Sequence, residues 1–131
     1  MTRAFDSNVL VYAVEAGPKG DTARALLTRG GVMSVQNLNE FTNVAIRKLG
    51  FDWGAVEQAI ASFIDLCGVP TAIDFGTHVT ARQIAERYQL SFYDALIIAA
   101  AMTADAETLF SEDMQDGLVI ANRLTIRNPF A

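Results

Sequence analysis

An α/β fold, with helices on both sides of a central, mainly parallel sheet of four to five strands, is what this sequence predicts. Three observations carry that expectation. Short apolar runs alternate along the chain with stretches of helical spacing. Residues 92–104 are apolar nearly all round and so belong at the centre of the molecule. Acidic residues recur where a strand should end or a helix begin: Asp6, Glu40, Asp94, Asp113 and Asp116.

The elements follow in order. Residues 3–5 form a short strand that enters Asp6 and Ser7, either of which can cap a helix over 8–14. Gly17, Pro18 and Gly20 mark a loop, after which Asp21 caps a helix over 22–29 with Ala25, Leu26 and Leu27 on its apolar side. Gly30 and Gly31 stop it and lack the spacing of a phosphate-binding loop. Residues 32–35 read as the second strand. A helix from about 38 to 49 carries Phe41, Val44, Ala45 and Leu49 at helical spacing, and Gly50 ends it.

Asp52 then caps a helix with Trp53, Val56, Ile60, Phe63 and Ile64 on one side, and Gly68 closes it. In that stripe Trp53 and Phe63 read as core or interface rather than as a base-stacking platform. Residues 69–73 are the third strand, 74–88 a helix and 92–104 the central helix. The fourth strand is 108–110, SEDMQDG is a loop, 118–121 is a short edge strand, and 124–126 can form a last one before Pro129 stops pairing.

In open α/β sheets ligands bind beyond the carboxyl ends of the strands, so acids placed there converge. Close carboxylates repel unless they share protons or a cation. Each acid also has a plainer reading. Ser91-Phe92-Tyr93-Asp94 fits a capping box, Asn37-Leu38-Asn39-Glu40 a looser one, and Asp113 and Asp116 suit a solvated turn beside Gly117. Caps, however, are equally well made by Ser, Thr or Asn, yet a carboxylate stands at one candidate end after another. The two roles also coexist, since a helix N-terminus favours an ionised side chain. The joint pattern points to a magnesium- or manganese-dependent phosphodiesterase.

Composition sets the limits. The 131 residues suit one domain spanning 1–131. With a single cysteine, Cys67, and a single histidine, His78, no internal disulfide forms and Cys/His zinc sites are excluded. Cys67 reads as inert and His78 as a surface or packing residue. No targeting or membrane segment is apparent, so a cytoplasmic protein is expected. Fifteen acids against ten bases give a net charge of −5, and the five candidate acids equal that excess. Arg3, Lys19, Arg24, Arg47, Lys48, Arg82 and Arg87 are available for phosphate contacts, but no basic block exists. An apolar content of 51% is generous for a small domain and suggests an interface.

On these motifs the chain resembles a PIN-domain protein, specifically the VapC-type toxin nucleases of bacterial toxin–antitoxin pairs. FDSNVLVYA is similar to the family's opening Asp motif, NEF to its Glu motif, FYDALIIAAA to its central Asp motif and SEDMQDG to its final acidic loop, from Phe5 to Phe130. The resemblance implies a PIN-like fold and an acidic pocket of Asp6, Glu40, Asp94 and Asp113. Asp116 would be a fifth contributor, with Ser7, Asn8 and Ser111 arranging the pocket. It implies Mg2+ or Mn2+ held by Asp6, Asp94 and Asp113, with Glu40 acting through water or orienting the nucleophile. The implied substrate is single-stranded RNA, cut to a 5′-phosphate and a 3′-hydroxyl, and the implied partners are a cognate antitoxin and a second copy of the chain.

The last motif departs from the family's Thr-x-Asn pattern, since Ser111 and Asp113 stand here. Whether Asp113 or Asp116 lies closer to the metal therefore stays open. Receiver and haloacid-dehalogenase proteins also place Asp at strand ends, but one needs a second early acid with a late lysine and the other Asp-x-Asp. This chain has Asp6-Ser7-Asn8. A catalytically silent PIN-like module that binds RNA or protein is the remaining alternative.

Overall fold

The computed structural model describes residues 2–131. In chain order the elements are β1 (Arg3–Phe5), α1 (Ser7–Ala13), α2 (Pro18–Thr28), α3 (Val35–Arg47), α4 (Trp53–Cys67), α5 (Phe75–Tyr88), α6 (Phe92–Thr103), β2 (Thr108–Phe110), β3 (Val119–Ile120) and β4 (Leu124–Arg127). The sheet order is β1-β2-β4-β3. β1 pairs with β2 and β2 with β4 in parallel, in a register that sets Phe5 against Phe110 and Phe110 against Arg127. β3 runs antiparallel to β4 and forms the edge.

Alternation along these short strands builds the layers, because successive side chains leave opposite faces. Ala4 and Leu109 join a core that α5 and α6 cover, whereas Phe5 and Phe110 pack with Val9, Leu10, Leu27 and Phe41 from the helices of the other face. The fold is the three-layer α/β arrangement expected. Within α6, residues Ala95, Leu96, Ile97, Ile98, Ala99, Ala100 and Ala101 are all buried, which is why its sequence shows no polar face. Phe63 is buried at 4% exposure while Trp53 is 70% exposed. No helix among the described residues is long and apolar enough to cross a membrane.

Four local expectations are corrected. Residues 32–35 and 69–73 are not strands but meet their neighbours through single bridges, Ala4 with Val32 and Ser34 with Thr71. Ser34 caps α3, so the chain turns helical at Val35 before a ladder can extend. Helix α3 therefore starts three residues earlier than expected: the Asn37 side chain accepts from the Ser34 amide at 2.8 Å and closes a capping box. Helix α2 begins at Pro18, whose fixed φ suits a first helical position, so Asp21 lies in the first turn and is not the cap.

Candidate active site

The parallel register of β1 and β2 creates the centre of the site. Because Phe5 and Phe110 are partners, the next residues, Asp6 and Ser111, emerge side by side beyond the strand ends. The Asp6 amide extends the ladder by donating to the Phe110 carbonyl at 2.8 Å. Asp6 is also the N-cap of α1: its Oδ1 accepts from the Ser7 amide at 2.7 Å, and its Oδ2 accepts from the Ser111 hydroxyl at 2.7 Å. With 5% exposure, the carboxyl is fixed from both sides.

Burial raises the Asp6 carboxyl from 3.8 to about 6. Hydrogen bonds from Ser111 and the Ser7 amide oppose that rise, and the nearby Glu40 and Asp94 carboxylates add to it. Three acids from three distant stretches of sequence thus interact through one site.

The first turn of α1 distributes further contacts. Ser7 Oγ donates to Glu40 Oε1 at 2.6 Å and accepts from Asn37 Nδ2 at 3.2 Å, while Gln36 Nε2 donates to Glu40 Oε2 at 3.1 Å. Asn8 Nδ2 donates to Asp113 Oδ2 at 3.1 Å. One turn on, Tyr12 Oη donates to Glu112 Oε1 at 2.5 Å, and Lys19 Nζ reaches Glu112 Oε2 at 2.6 Å. Ser111, Glu112 and Asp113 are thereby each fastened to α1 or its cap. Lys19 and Tyr12 hold the Glu112 carboxyl below its usual range.

Asp94 sits in the first turn of α6, where its amide donates to Ser91 Oγ at 3.2 Å. The return bond of a capping box, from the Ser91 amide to the Asp94 side chain, is not formed. The carboxylate instead lines the cleft that Asp6, Glu40, Glu112 and Asp113 share, a space of about 570 Å³. Asp116 is not part of that lining. Its Oδ1 accepts from the Asn128 amide at 2.9 Å, which ties the loop to the C-terminal segment.

The donor set suits a hard divalent cation, being carboxylate and amide oxygen. Asn8 Oδ1 is buried without a hydrogen-bond partner, an acceptor that a hydrated cation would satisfy. Among the described residues, no three His, Cys, Asp or Glu side chains form a ready-made metal cage. Both oxygens of Asp6 and of Glu40 accept hydrogen bonds, and Asn8 donates to Asp113. The acids ring a cleft rather than meet at a point, an arrangement compatible with magnesium because that ion keeps several of its waters.

Tyr12, Asn43, Lys48 and Glu112 also line the cleft without having been singled out as site residues. Glu112 lies within the SEDMQDG motif, but nothing in that string distinguishes it from its acidic neighbours. Lys48 is one of seven bases with equal standing in the sequence. The structure separates them: Arg3 donates to the Gly30 carbonyl, Lys19 pairs with Glu112 and Arg24 with Asp21, whereas Lys48 faces the cleft.

Fold and cleft together define a class, an α/β protein with carboxylates gathered beyond the C-terminal ends of parallel strands. The PIN domain family model matches residues 4–115, and the chain belongs to that family. Comparison with curated proteins finds no match. Among solved structures, a toxin–antitoxin complex from Klebsiella pneumoniae is similar over 98% of each chain, with a TM-score of 0.73 and 17% identity. A crystal structure of VapBC2 from Rickettsia felis bound to a DNA fragment from its promoter is similar over 98% of each chain, with a TM-score of 0.68 and 20% identity. At these identities the likeness is one of fold.

Proposed function

We propose that this PIN-domain protein is a metal-dependent endoribonuclease that hydrolyses phosphodiester bonds of single-stranded RNA, as the toxin of a VapC-like toxin–antitoxin pair. The observation that carries this reading is the convergence of Asp6, Glu40, Asp94 and Asp113 on one cleft at the C-terminal ends of β1 and β2. Asp6, Asp94 and Asp113 would hold Mg2+ or Mn2+. Bound there, such an ion supplies an acidified water and neutralises charge on the phosphoryl oxygens.

The protein's own groups do the rest. Ser111 and the Ser7 amide hold Asp6 in a single orientation, and Ser7 with Gln36 fixes Glu40 so that it can orient the attacking water. Asn8 keeps Asp113 against α1. Asp116 takes the role of fastening the loop.

An antitoxin partner is supported by the toxin–antitoxin complexes among the structural neighbours. Assembly as a homodimer is supported by exposed apolar side chains such as Val69 and Phe75, 89% and 76% accessible. A cytoplasmic location belongs to the same proposal.

The test is incubation of purified protein with mixed single-stranded RNAs in magnesium, in manganese and in chelator, beside Asp6→Asn and Asp94→Asn. Cleavage should require the metal and both carboxylates. Cutting that persists in chelator and in both variants would overturn the assignment. A catalytically silent module would show neither cutting nor heat on magnesium titration.

A further inference from the structure

Six acids line the cleft, and a polyanionic substrate must approach it. Lys48 is the one cation among the described residues that lines it, and its side chain makes neither a salt bridge nor a hydrogen bond there. It stands at the C-cap of α3, exposed to solvent. At the opposite end of the same helix, a second depression of about 340 Å³ adjoins the cleft, and the two share Glu40 and Asn43 in their walls. Its other walls are Gln36, Asn39 and Tyr93.

The two depressions run together along α3 because Glu40 and Asn43 wall both. Gln36, Asn39, Glu40 and Asn43 follow i, i+3, i+4, i+7, which places them on one face of the helix. From Gln36 to Lys48 the rise is about 18 Å, enough for several nucleotides. Primary amides can both donate to and accept from base edges. Asn43 makes no side-chain hydrogen bond among the described residues, and Asn39 uses only its donor, toward Gln36 at 3.3 Å. Tyr93 is 61% exposed although it immediately precedes Asp94, and its ring packs edge-to-face with that of Phe92, centroids 5.6 Å apart. An exposed ring beside open amides is what an unpaired base needs, since every base has a face that stacks.

We propose that the exposed edge of α3 is the substrate track: Lys48 holds a backbone phosphate at one end of the acidic cleft, and Tyr93 stacks an unpaired base at the other, where Asn39 and Asn43 read its edge. The proposal rests on the ribonuclease reading above. It adds how the strand is gripped and which residues set preference beside the cut, with Lys48 carrying charge and Tyr93 carrying shape.

The experiment measures binding of a short fluorescent single-stranded RNA by anisotropy, with chelated protein to prevent cutting, over salt from about 50 to 200 mM. Steady-state cleavage in magnesium runs in parallel. Lys48→Ala should flatten the dependence of log affinity on log salt by about 0.7, the value for one phosphate contact on a single strand. It should raise KM with little change in kcat. Tyr93→Ala should weaken binding roughly 5- to 150-fold, the range for one stacked base, while Tyr93→Phe retains it. Arg123→Ala, in the turn between β3 and β4 where it pairs with Asp105, should change neither quantity.

If wild type binds RNA and Lys48→Ala and Tyr93→Ala bind it equally well with an unchanged slope, the track is wrong and the nuclease reading stands. If wild type neither binds nor cuts any RNA, the nuclease reading itself fails. Loss of self-association in Tyr93→Ala, with RNA affinity intact, would assign that ring to a protein interface and overturn its stacking role.

Discussion

Replacing Asp6 by Asn should stabilise the metal-free protein at neutral pH while abolishing the proposed RNA cleavage. In the fold, burial and two neighbouring carboxylates raise the Asp6 carboxyl from 3.8 to about 6. The stability associated with its protonated form is fully present below the unfolded value of 3.8 and is lost as pH rises through about 6. Above that, ionising Asp6 in the folded state costs roughly 3 kcal/mol.

Asparagine removes the charge and keeps the contact to the Ser7 amide, but it reverses the one to Ser111. Its Oδ1 still accepts from the Ser7 amide, while its Nδ2 can only donate to Ser111 Oγ, which leaves the buried Ser111 O–H without the acceptor that the carboxylate supplied. The expected net gain is about 1–2 kcal/mol near pH 8, and it disappears toward pH 4. By urea unfolding in chelator, that gain moves the midpoint up by about 1 M. Added magnesium should then stabilise wild type and leave Asp6→Asn unchanged, narrowing the gap. A variant that is destabilised to the same extent at both pH values would refute the reasoning, because it would mean that Asp6 bears no electrostatic strain.

Two further predictions concern the scaffold. Ser111→Ala removes a fully buried hydroxyl that donates to Asp6 and accepts from the Met114 amide at 3.2 Å; it should cost about 1–3 kcal/mol in urea unfolding. Gly20→Ala should destabilise, read as a lowered thermal midpoint, although alanine ordinarily favours a helix by about 1 kcal/mol over glycine. A Cβ at position 20 would run into the Glu15 carbonyl oxygen, which accepts from Arg24 Nη1 at 2.7 Å.

Much of the site was legible because its acids occupy positions dictated by topology. Asp6 and Asp94 stand at helix starts, and Asp113 follows a strand. Each lies in a short string whose apolar neighbours announce the element. What the sequence hid was the difference between Asp113 and Asp116, three residues apart in one loop. Side-chain bonds to Asn8 and Asn128 separate them, and neither partner lies nearby in sequence. Lys48 was hidden for the same reason, since only the course of α3 tells which of seven bases faces the cleft.

The fold was legible where patterns ran long, as in α4, α5 and α6, and obscure where they were short. Residues 32–35 and 69–73 have strand-like composition, yet Ser34 is consumed as a helix cap and Pro70 offers no amide, so only isolated bridges form, at Val32 and between Ser34 and Thr71. The start of α3 was missed because Asn37 serves at the box position where Glu or Gln is usual.

The most direct test of a shared metal centre is calorimetric titration of Mn2+ into wild type, Asp94→Asn and Asp113→Asn at neutral pH. Saturable heat in wild type, with affinity lowered at least tenfold in both variants, a loss of about 1.4 kcal/mol or more, is the predicted result. Equal binding in all three proteins would contradict a site built from these carboxylates.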